Sequence, residues 1–178
     1  MNRRFRKWTG IAVLALFGLA GLAGGGTYLW YRYTVARSQP VIEGNLEISE
    51  LRQKVEIIRD DFGIPHIYAE NLRDLYLAMG YAMAQDRLWQ MEFYRRLGSG
   101  RLSELFGRKT LEVDRLFRTL ALAQHDVTLP EAASFIPGAF AAGINAHIRR
   151  SRDRLPLEFT VLGHQPELWS AQDYLSVL

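Results

Sequence analysis

The stretch from Gly10 to Tyr31 (GIAVLALFGLAGLAGGGTYLWY) has no charged side chain, and it constrains the fold more than any other part of the chain. At roughly 1.5 Å per residue, a helix of this length reaches across a hydrocarbon core of about 30 Å. Such a segment does not share a water-soluble core with the polar sequence that follows it. The pattern therefore predicts a membrane helix over residues 10–31, separate from a globular part.

The residues that flank this stretch predict its orientation. Basic residues occupy positions 3, 4, 6 and 7, and aromatic residues cluster at the far end (Tyr28, Trp30, Tyr31, Tyr33). More positive charge before the segment than after it predicts a cytoplasmic N-terminus and a periplasmic or extracellular location for the bulk of the chain. A secretory signal peptide is the competing interpretation. We favour an uncleaved anchor, because the apolar run is long and no clear A-x-A cleavage site follows it.

The net charge of +3 does not indicate a nucleic-acid-binding protein. Six basic residues and no acidic residue lie before residue 38, so the remainder of the chain carries about −3. Cysteine is absent, which excludes a disulfide, a thiolate metal site and a cysteine nucleophile within this chain. With 48% hydrophobic and 23% charged residues, the composition is that of an ordinary globular domain after a targeting segment.

The predicted organisation follows from where these patterns change. Residues 1–9 are a basic cytoplasmic segment, 10–31 the anchor or signal segment, 32–45 a linker with proline and glycine, and 46–178 the folded domain. Within that domain, β-branched and aromatic residues on both sides of a Gly63 turn predict a hairpin over Lys54–Ala69. Helical periodicity then predicts helices from Leu72 to Gly98, Arg101 to Phe106, Leu111 to His125, Ser134 or Pro137 to Arg150, and from an N-cap at Ser170.

The predicted helix that begins at Leu72 has two apolar stripes that cover more than half of its circumference, which is typical of a helix packed inside a protein. Asp86 and Arg87 are adjacent, so they point in different directions and do not pair with each other. A buried charge needs a partner, and we expect crossed pairs with Arg59 and Asp60 of the hairpin. Solvated surface charges are the alternative. Glu92 is expected to reach a residue of its own helix, Arg96.

The sequence contains no pattern for a catalytic or metal site. There is no nucleophile elbow, no phosphate-binding loop and no H-E-x-x-H, and the spacing of His125, His147 and His164 suits no metal. His66 is interpreted as a structural histidine that bonds to the backbone, with a ligand or base as the alternative. Ser99 is interpreted as part of a helix-ending turn. We therefore assign no catalytic, cofactor-binding or metal-binding residue to this chain.

Several long motifs, in order, resemble the penicillin acylase (penicillin amidase) family. They cover roughly residues 46–178 and comprise RDDFGIPHIYAEN (59–71), DLYLAMGYAMAQDRLWQMEFYRR (74–96), GRLSELFG (100–107), GINAHI (143–148), EFTVLGHQPELW (158–169) and SAQD (170–173). The resemblance implies an N-terminal nucleophile hydrolase with a four-layer αββα sandwich. This chain would be an N-terminal part of its α chain, of class α+β, mostly helical with a β-hairpin.

The resemblance also implies an activity whose residues this chain does not contain. Family members cut their own precursor, and the serine exposed at the β-chain N-terminus opens an amide while its own α-amine acts as the base. The nucleophile, the oxyanion-hole asparagine and the calcium ligands would lie beyond Leu178, and calcium would concern only the full-length protein. The matching residues are interpreted as scaffold: Arg59, Asp60, Gly63, Pro65, His66, Gln85, Asp86 and Arg87.

The expected partners are the missing β chain of the same precursor, the membrane through residues 10–31, and an acylated amide substrate, with no nucleic acid. That substrate could be a penicillin, a cephalosporin side chain, an acyl-homoserine lactone or a lipopeptide. The fragment alone is expected to be inactive. The alternative from a different class is a non-enzymatic, membrane-tethered helical binding module.

Overall fold

The structure is a computed structural model that describes residues 3–120 and 129–176. The chain divides into two compact units, Met1–Gln39 and Pro40–Leu178. The described residues are mostly helical, with a two-stranded antiparallel sheet. The predicted mostly helical class with one hairpin is therefore confirmed for this part of the chain.

The first unit is a single helix, α1, that spans Arg3–Ser38. It is long and apolar enough over Ala12–Ser38 to cross a membrane, and an N-terminal signal sequence has the same properties. The helix continues into the segment predicted as a linker. Along that stretch, the Arg32 guanidinium donates a hydrogen bond to the Tyr28 hydroxyl four residues earlier. Arg37 donates in the same way to the Tyr33 hydroxyl. No proline interrupts the helix before it ends at Ser38.

The predicted hairpin is confirmed as strands β1 (Glu56–Arg59) and β2 (Pro65–Tyr68). Asp60 closes the turn between them. Its backbone N–H donates to Ile64 O, its carbonyl accepts from Gly63 N, and its carboxylate accepts from the N–H groups of Phe62 and Ile64. Gly63 has φ +77°, a left-handed conformation that glycine adopts without steric cost.

Helix α2 spans Leu72–Gly98, as predicted. Asn71 caps it, because its side chain accepts from the backbone N–H of Asp74. Arg87 has φ −146° and ψ 33°, so α2 is kinked at this residue. The helix ends where Ser99 donates its hydroxyl to the carbonyls of Arg95 and Arg96, which confirms the helix-ending role predicted for Ser99.

The remaining elements are short helices and one longer helix. They are α3 (Ser103–Phe106), α4 (Leu111–Leu120), α5 (Ile136–Ser151) and α6 (Leu157–Leu162), with 3₁₀ turns at Gly107–Thr110, Glu131–Ala133 and Ala171–Ser176. The predicted end of α4 at His125 lies outside the described residues. Helix α6 was not predicted, and the element after Ser170 is a 3₁₀ turn, in which Asp173 accepts from the Ser170 N–H and hydroxyl as the capping pattern suggests.

Helices α2 and α5 form the centre of the second unit and approach each other backbone to backbone. A Cβ on Gly143 of α5 would lie 1.9 Å from the carbonyl oxygen of Leu77, and one on Gly80 of α2 would lie 2.2 Å from that of Phe140. Only glycine permits this separation. Large apolar side chains fill the core around the crossing: Leu88, Met91, Phe140, Ile144, Ile148, Phe159 and Trp169.

Candidate functional site

The Arg59 guanidinium joins the hairpin to α2. Nη2 lies 2.8 Å from Asp86 Oδ1 and Nη1 lies 3.1 Å from Asp86 Oδ2. Nη2 also donates to Gln85 Oε1, and Nη1 donates to Gly63 O. The side chains are only 12% exposed for Arg59 and 27% exposed for Asp86. The predicted pairing of Asp86 with the hairpin is therefore confirmed, and Asp86 is not a merely solvated charge.

The second predicted pair, Arg87 with Asp60, is wrong. The Asp60 carboxylate is occupied within its own turn, and its Oδ2 also lies 3.2 Å from His66 Nε2. The hydrogen bond from the Ile64 backbone, followed by the His66 contact, lowers the pKa of Asp60. Arg87 is exposed at the kink and forms no ion pair within residues 3–120 and 129–176. Arg87 is therefore a solvated surface charge, which was the alternative interpretation of the sequence.

Gln85 connects a third segment to the same cluster. Its Nε2 donates to Val41 O at 2.8 Å, while its Oε1 accepts from Arg59. One side chain thus joins the segment that follows residue 40, the hairpin and α2. Arg59, Gln85 and Asp86 all belong to the motifs that resemble the family. They form hydrogen bonds to one another and to the backbone, which suits a structural role.

A buried carboxylate explains the charges in the second half of α2. Glu92 is 0% exposed and accepts from Arg95 Nη2 and from Arg96 Nε, the latter at 2.6 Å. His164 Nε2 lies 3.1 Å from the same carboxylate. The predicted pair of Glu92 with Arg96 is confirmed. Arg95 and His164 were not predicted as partners, because their contacts depend on tertiary structure.

Outside this buried centre lies a second layer of ion pairs. Arg96 contacts Glu104 and, at 3.3 Å, Glu167, and both of these carboxylates also bind Arg101. Hydrogen bonding from Arg101 lowers the pKa of Glu104 to about 2. The alternating charges therefore link α2, α3 and the segment after α6 into one network.

Two further buried carboxylates accept backbone N–H groups. Asp74 accepts from the N–H of Arg52 and Gln53 and from the amide of Asn71. Asp114 accepts in the same way from the backbone N–H groups that open α3. Burial disfavours the charged form of each carboxylate, but these donors outweigh it and lower the pKa of both. Neither role was predicted from the sequence.

Asn145 and Trp169 join two of the resemblance motifs. The side-chain amide of Asn145 donates to Trp169 O at 2.8 Å, and the backbone N–H of Trp169 donates to Asn145 Oδ1 at 2.7 Å. The Arg95 guanidinium lies over the Trp169 ring, 5.1 Å from its centroid. The motif around residue 145 therefore fixes the backbone of the motif that ends at residue 169.

A cavity of about 350 Å³ lies between β1, the first half of α2 and the segment after residue 40. Apolar residues line it together with charged and polar ones, among them Glu43, Lys54, Arg59 and Gln85. The lining residues are Val41–Leu46, Ile48, Leu51, Lys54, Val55, Ile57, Arg59, Leu77, Ala78, Tyr81 and Gln85.

The residues weighed for chemistry in the sequence have identifiable contacts in the structure. Ser99 donates to helix carbonyls, and no group of three or more His, Asp or Glu within residues 3–120 and 129–176 could hold a metal. Burial lowers the pKa of His147 to about 4, and its ring packs against Tyr81. His66 meets the Asp60 carboxylate, whereas the prediction was a bond to the backbone.

Comparison with known proteins identifies the family. Residues 54–178 match the penicillin amidase family model. The chain is 39% identical over 165 residues to the acyl-homoserine lactone acylase QuiP of Pseudomonas aeruginosa, covering 89% of this chain and 19% of that protein. It is 37% identical over 151 residues to the penicillin acylase 2 proenzyme of a Pseudomonas species, covering 83% and 19%.

A solved structure resembles the fold as well. The thermostable penicillin G acylase of Alcaligenes faecalis superposes with a TM-score of 0.63 at 30% identity, covering 71% of each chain. The chain spans about a fifth of the length of the curated relatives it matches. The family match covers the hairpin, the charged network on α2 and the Asn145–Trp169 contact, and the chain belongs to the penicillin amidase family.

Proposed function

We propose that this chain is the N-terminal part of a membrane-anchored amidase precursor that hydrolyses a linear amide bond. Family membership over residues 54–178 carries the proposal. The structure supports a scaffold role, since the residues of the matching motifs, including Arg59, Gln85 and Glu92, use their polar atoms in contacts within the protein. The nucleophile, a serine at a newly formed N-terminus, would lie outside residues 1–178.

In this proposal the rest of the polypeptide supplies the chemistry. A free α-amine has a pKa of about 7.7 to 8.0, so a fraction of it is neutral near pH 7 and can take the serine proton. The serine then attacks the amide carbonyl, the C–N bond breaks, and the amine leaves with the proton that the α-amine had taken up. Water hydrolyses the resulting acyl-serine to the free acid and restores the serine hydroxyl. This chain would contribute helices and a hairpin to an αββα sandwich completed by the β chain of the same precursor, which is inactive until it is cleaved.

The substrate is proposed to be an acylated small-molecule amide. The relatives named acyl-homoserine lactone acylase and penicillin acylase are similar to this chain at 39% and 37% identity, which supports the class. Acyl-homoserine lactones are the first substrates to test, and penicillins, cephalosporin side chains and lipopeptides follow. Helix α1 would anchor the protein in a membrane, which its length and apolar composition support. The basic residues before the apolar stretch favour a periplasmic location for the bulk of the protein.

The experiment is hydrolysis of a chromogenic phenylacetyl amide, a long-chain acyl amide and an acyl-homoserine lactone by the full-length product. We expect release of the acyl group by the full-length product and none by residues 1–178 alone. Replacing the new N-terminal serine by alanine should abolish cleavage. Chelation of calcium tests whether the full-length enzyme needs this ion. A full-length product that hydrolyses no acyl amide would contradict the proposal and favour a membrane-tethered binding module.

A further inference from the structure

Four exposed arginines lie at the C-terminal end of α5. Arg149 and Arg150 occupy the last turn of the helix, and Arg152 and Arg154 follow its end. We call these four residues the α5 arginine cluster. Within residues 3–120 and 129–176, three of them form no ion pair and no side-chain hydrogen bond: Arg150, Arg152 and Arg154.

Two ordinary structural roles account for only part of this cluster. The negative end of the helix dipole stabilises a cation in the last turn of a helix, which suits the two arginines of that turn. Arg149 also contacts the Glu50 carboxylate. Arg152 and Arg154 lie beyond the last turn, and the exposed Asp153 between them pairs with neither in the described part of the chain. The cluster therefore keeps positive charge that no contact within these residues neutralises.

The cluster lies beside the segment through which the chain enters the second unit. The Glu50 carboxylate contacts Arg149, and the Glu50 carbonyl accepts from Arg73 Nη1 at 2.7 Å. Glu50 follows the end of α1 at Ser38 by only twelve residues. An extended chain of this length spans about 40 Å at most. An anchor at α1 therefore tethers the cluster close to a membrane surface, where its effective concentration is high.

Anionic phospholipids offer the chemistry that this cluster can bind. A guanidinium donates two parallel hydrogen bonds to phosphate oxygens, and arginine stays charged throughout the physiological pH range. The attractions of several basic side chains to an anionic lipid surface add together. The chain after residue 38 carries about −3 in total, so an anionic surface attracts the cluster and repels much of the remaining unit. This distribution of charge favours one orientation of the unit on such a surface.

We propose that the α5 arginine cluster binds the phosphate groups of anionic lipids in the membrane that α1 crosses. The inference rests on the part of the proposed function in which α1 is an anchor. It adds a polar, orienting contact to the apolar attachment through the helix. A membrane of zwitterionic lipids has no net charge, so it should not support this contact.

A single fluorescent label tests the contact, because the chain has no cysteine of its own. Asp153→Cys places the label within the cluster, and Glu112→Cys places it on α4 with the same change of charge. The protein is reconstituted in nanodiscs of phosphatidylcholine, with or without about one third phosphatidylglycerol. Quenching by a nitroxide on the lipid headgroup then reports how close each label lies to the membrane surface.

The two labels should respond differently to the lipid charge. We expect phosphatidylglycerol to increase the quenching at position 153 at least about threefold, and about 0.5 M NaCl to reverse the increase. Quenching at position 112 should change by less than about 1.5-fold. Equal increases at both positions would indicate attraction without orientation and would overturn the proposal.

Neutral variants identify the arginines responsible. The test variant replaces the three unpaired members of the cluster: Arg150→Gln, Arg152→Gln and Arg154→Gln. The control variant removes the same charge from exposed residues without an ion pair in the described ranges: Arg87→Gln, Arg108→Gln and Lys109→Gln. The test variant should lose the response to phosphatidylglycerol, and the control variant should keep it. Equal loss in both variants would overturn the proposal, and circular dichroism checks that both keep the parent's helix content.

The outcomes separate this inference from the proposed function. A chain that does not co-elute with the nanodiscs overturns the anchor and this inference together. A co-eluting chain whose label at position 153 is quenched equally in both lipid mixtures overturns the inference alone. A full-length product that shows the response but hydrolyses no acyl amide overturns the amidase function alone.

Two further outcomes would assign the cluster to another ligand. A response present in residues 1–178 but absent in the full-length product would show that the remaining polypeptide covers the cluster. Loss of the response in about 10 mM inorganic phosphate at constant ionic strength would assign the cluster to a free phosphate. Either result would overturn the proposal.

Discussion

The Arg59 guanidinium meets both carboxylate oxygens of Asp86, at 2.8 Å and 3.1 Å, across 27 residues of chain. This bidentate contact, together with the hydrogen bond from Arg59 to Gln85, connects the hairpin to α2. Replacing Asp86 by alanine should lower the free energy of unfolding by about 1–2 kcal/mol, because a largely buried guanidinium loses its counter-charge. Urea denaturation of the chain in detergent micelles measures the change.

The neighbouring Arg87 supplies the control for that measurement. It is exposed and unpaired within the described residues, so Arg87→Gln should change the free energy of unfolding by less than about 0.5 kcal/mol. Equal effects of the Asp86 and Arg87 substitutions would contradict the structural difference between the two residues.

Removing the charge of Glu92 should be the most damaging substitution on α2. Glu92→Gln leaves Arg95 and Arg96 buried without their central counter-charge, at a cost of about 3 kcal/mol or more. Glu112→Gln is the control, because Glu112 is 81% exposed in its pair with Arg115. Its effect should stay below about 0.5 kcal/mol. Thermal unfolding followed by circular dichroism should separate the two variants, and similar melting temperatures would count against a buried Glu92.

Glycine-to-alanine substitutions in α5 should have opposite signs at two positions. A Cβ at Gly143 would lie 1.9 Å from Leu77 O, so Gly143→Ala must push the helices apart and should cost about 1–3 kcal/mol. Nothing lies within 4 Å of a Cβ at Gly138. Gly138→Ala should therefore stabilise the protein by about 0.4–1 kcal/mol through the unfolded chain. Loss of stability at both positions, measured by urea denaturation, would contradict the close helix crossing.

His147 should make stability depend on pH below neutrality. Burial lowers its pKa from 6.5 to about 4, and this effect exceeds the opposite effect of the Asp86 charge. The unfolded chain therefore binds a proton at a pH where the folded chain does not. Stability should fall as the pH drops from about 6.5 to 4 and should not change through this group above pH 6.5. His147→Gln should remove that contribution in urea titrations at each pH, whereas replacing the exposed His66 should leave it in place.

Elements with strong local signals were predicted well from the sequence. The Gly63 turn and the β-branched and aromatic residues on both sides of it predicted the hairpin. The helical period of apolar residues from Leu72 to Gly98 predicted α2. Glu92 and Arg96 are four residues apart on one helix, so their pair is also a local prediction. Helix α6 is only six residues long, between Pro156 and Gly163, and such a short element carries almost no periodicity.

Contacts that depend on tertiary structure were predicted only in part. The crossed pairing failed at Asp60 because the turn itself supplies the donors that its carboxylate needs. Asp74 and Asp114 bind backbone N–H groups, and any residue type except proline can supply such a donor, so the sequence marks only the acceptor. The Asn145–Trp169 contact joins residues 24 positions apart whose types suggest no pairing.

The Asp60 turn has a kinetic consequence. Every group that closes it lies within four residues along the chain, so loop closure costs little entropy and the turn can form as soon as Ile64 is made. A two-stranded hairpin is marginal in water by itself. The ion pair of Arg59 with Asp86 can form only after Asp86 has been synthesised and helix α2 has formed around it. We therefore expect the hairpin to form only transiently during synthesis. It should become stable only after helix α2 has left the ribosome.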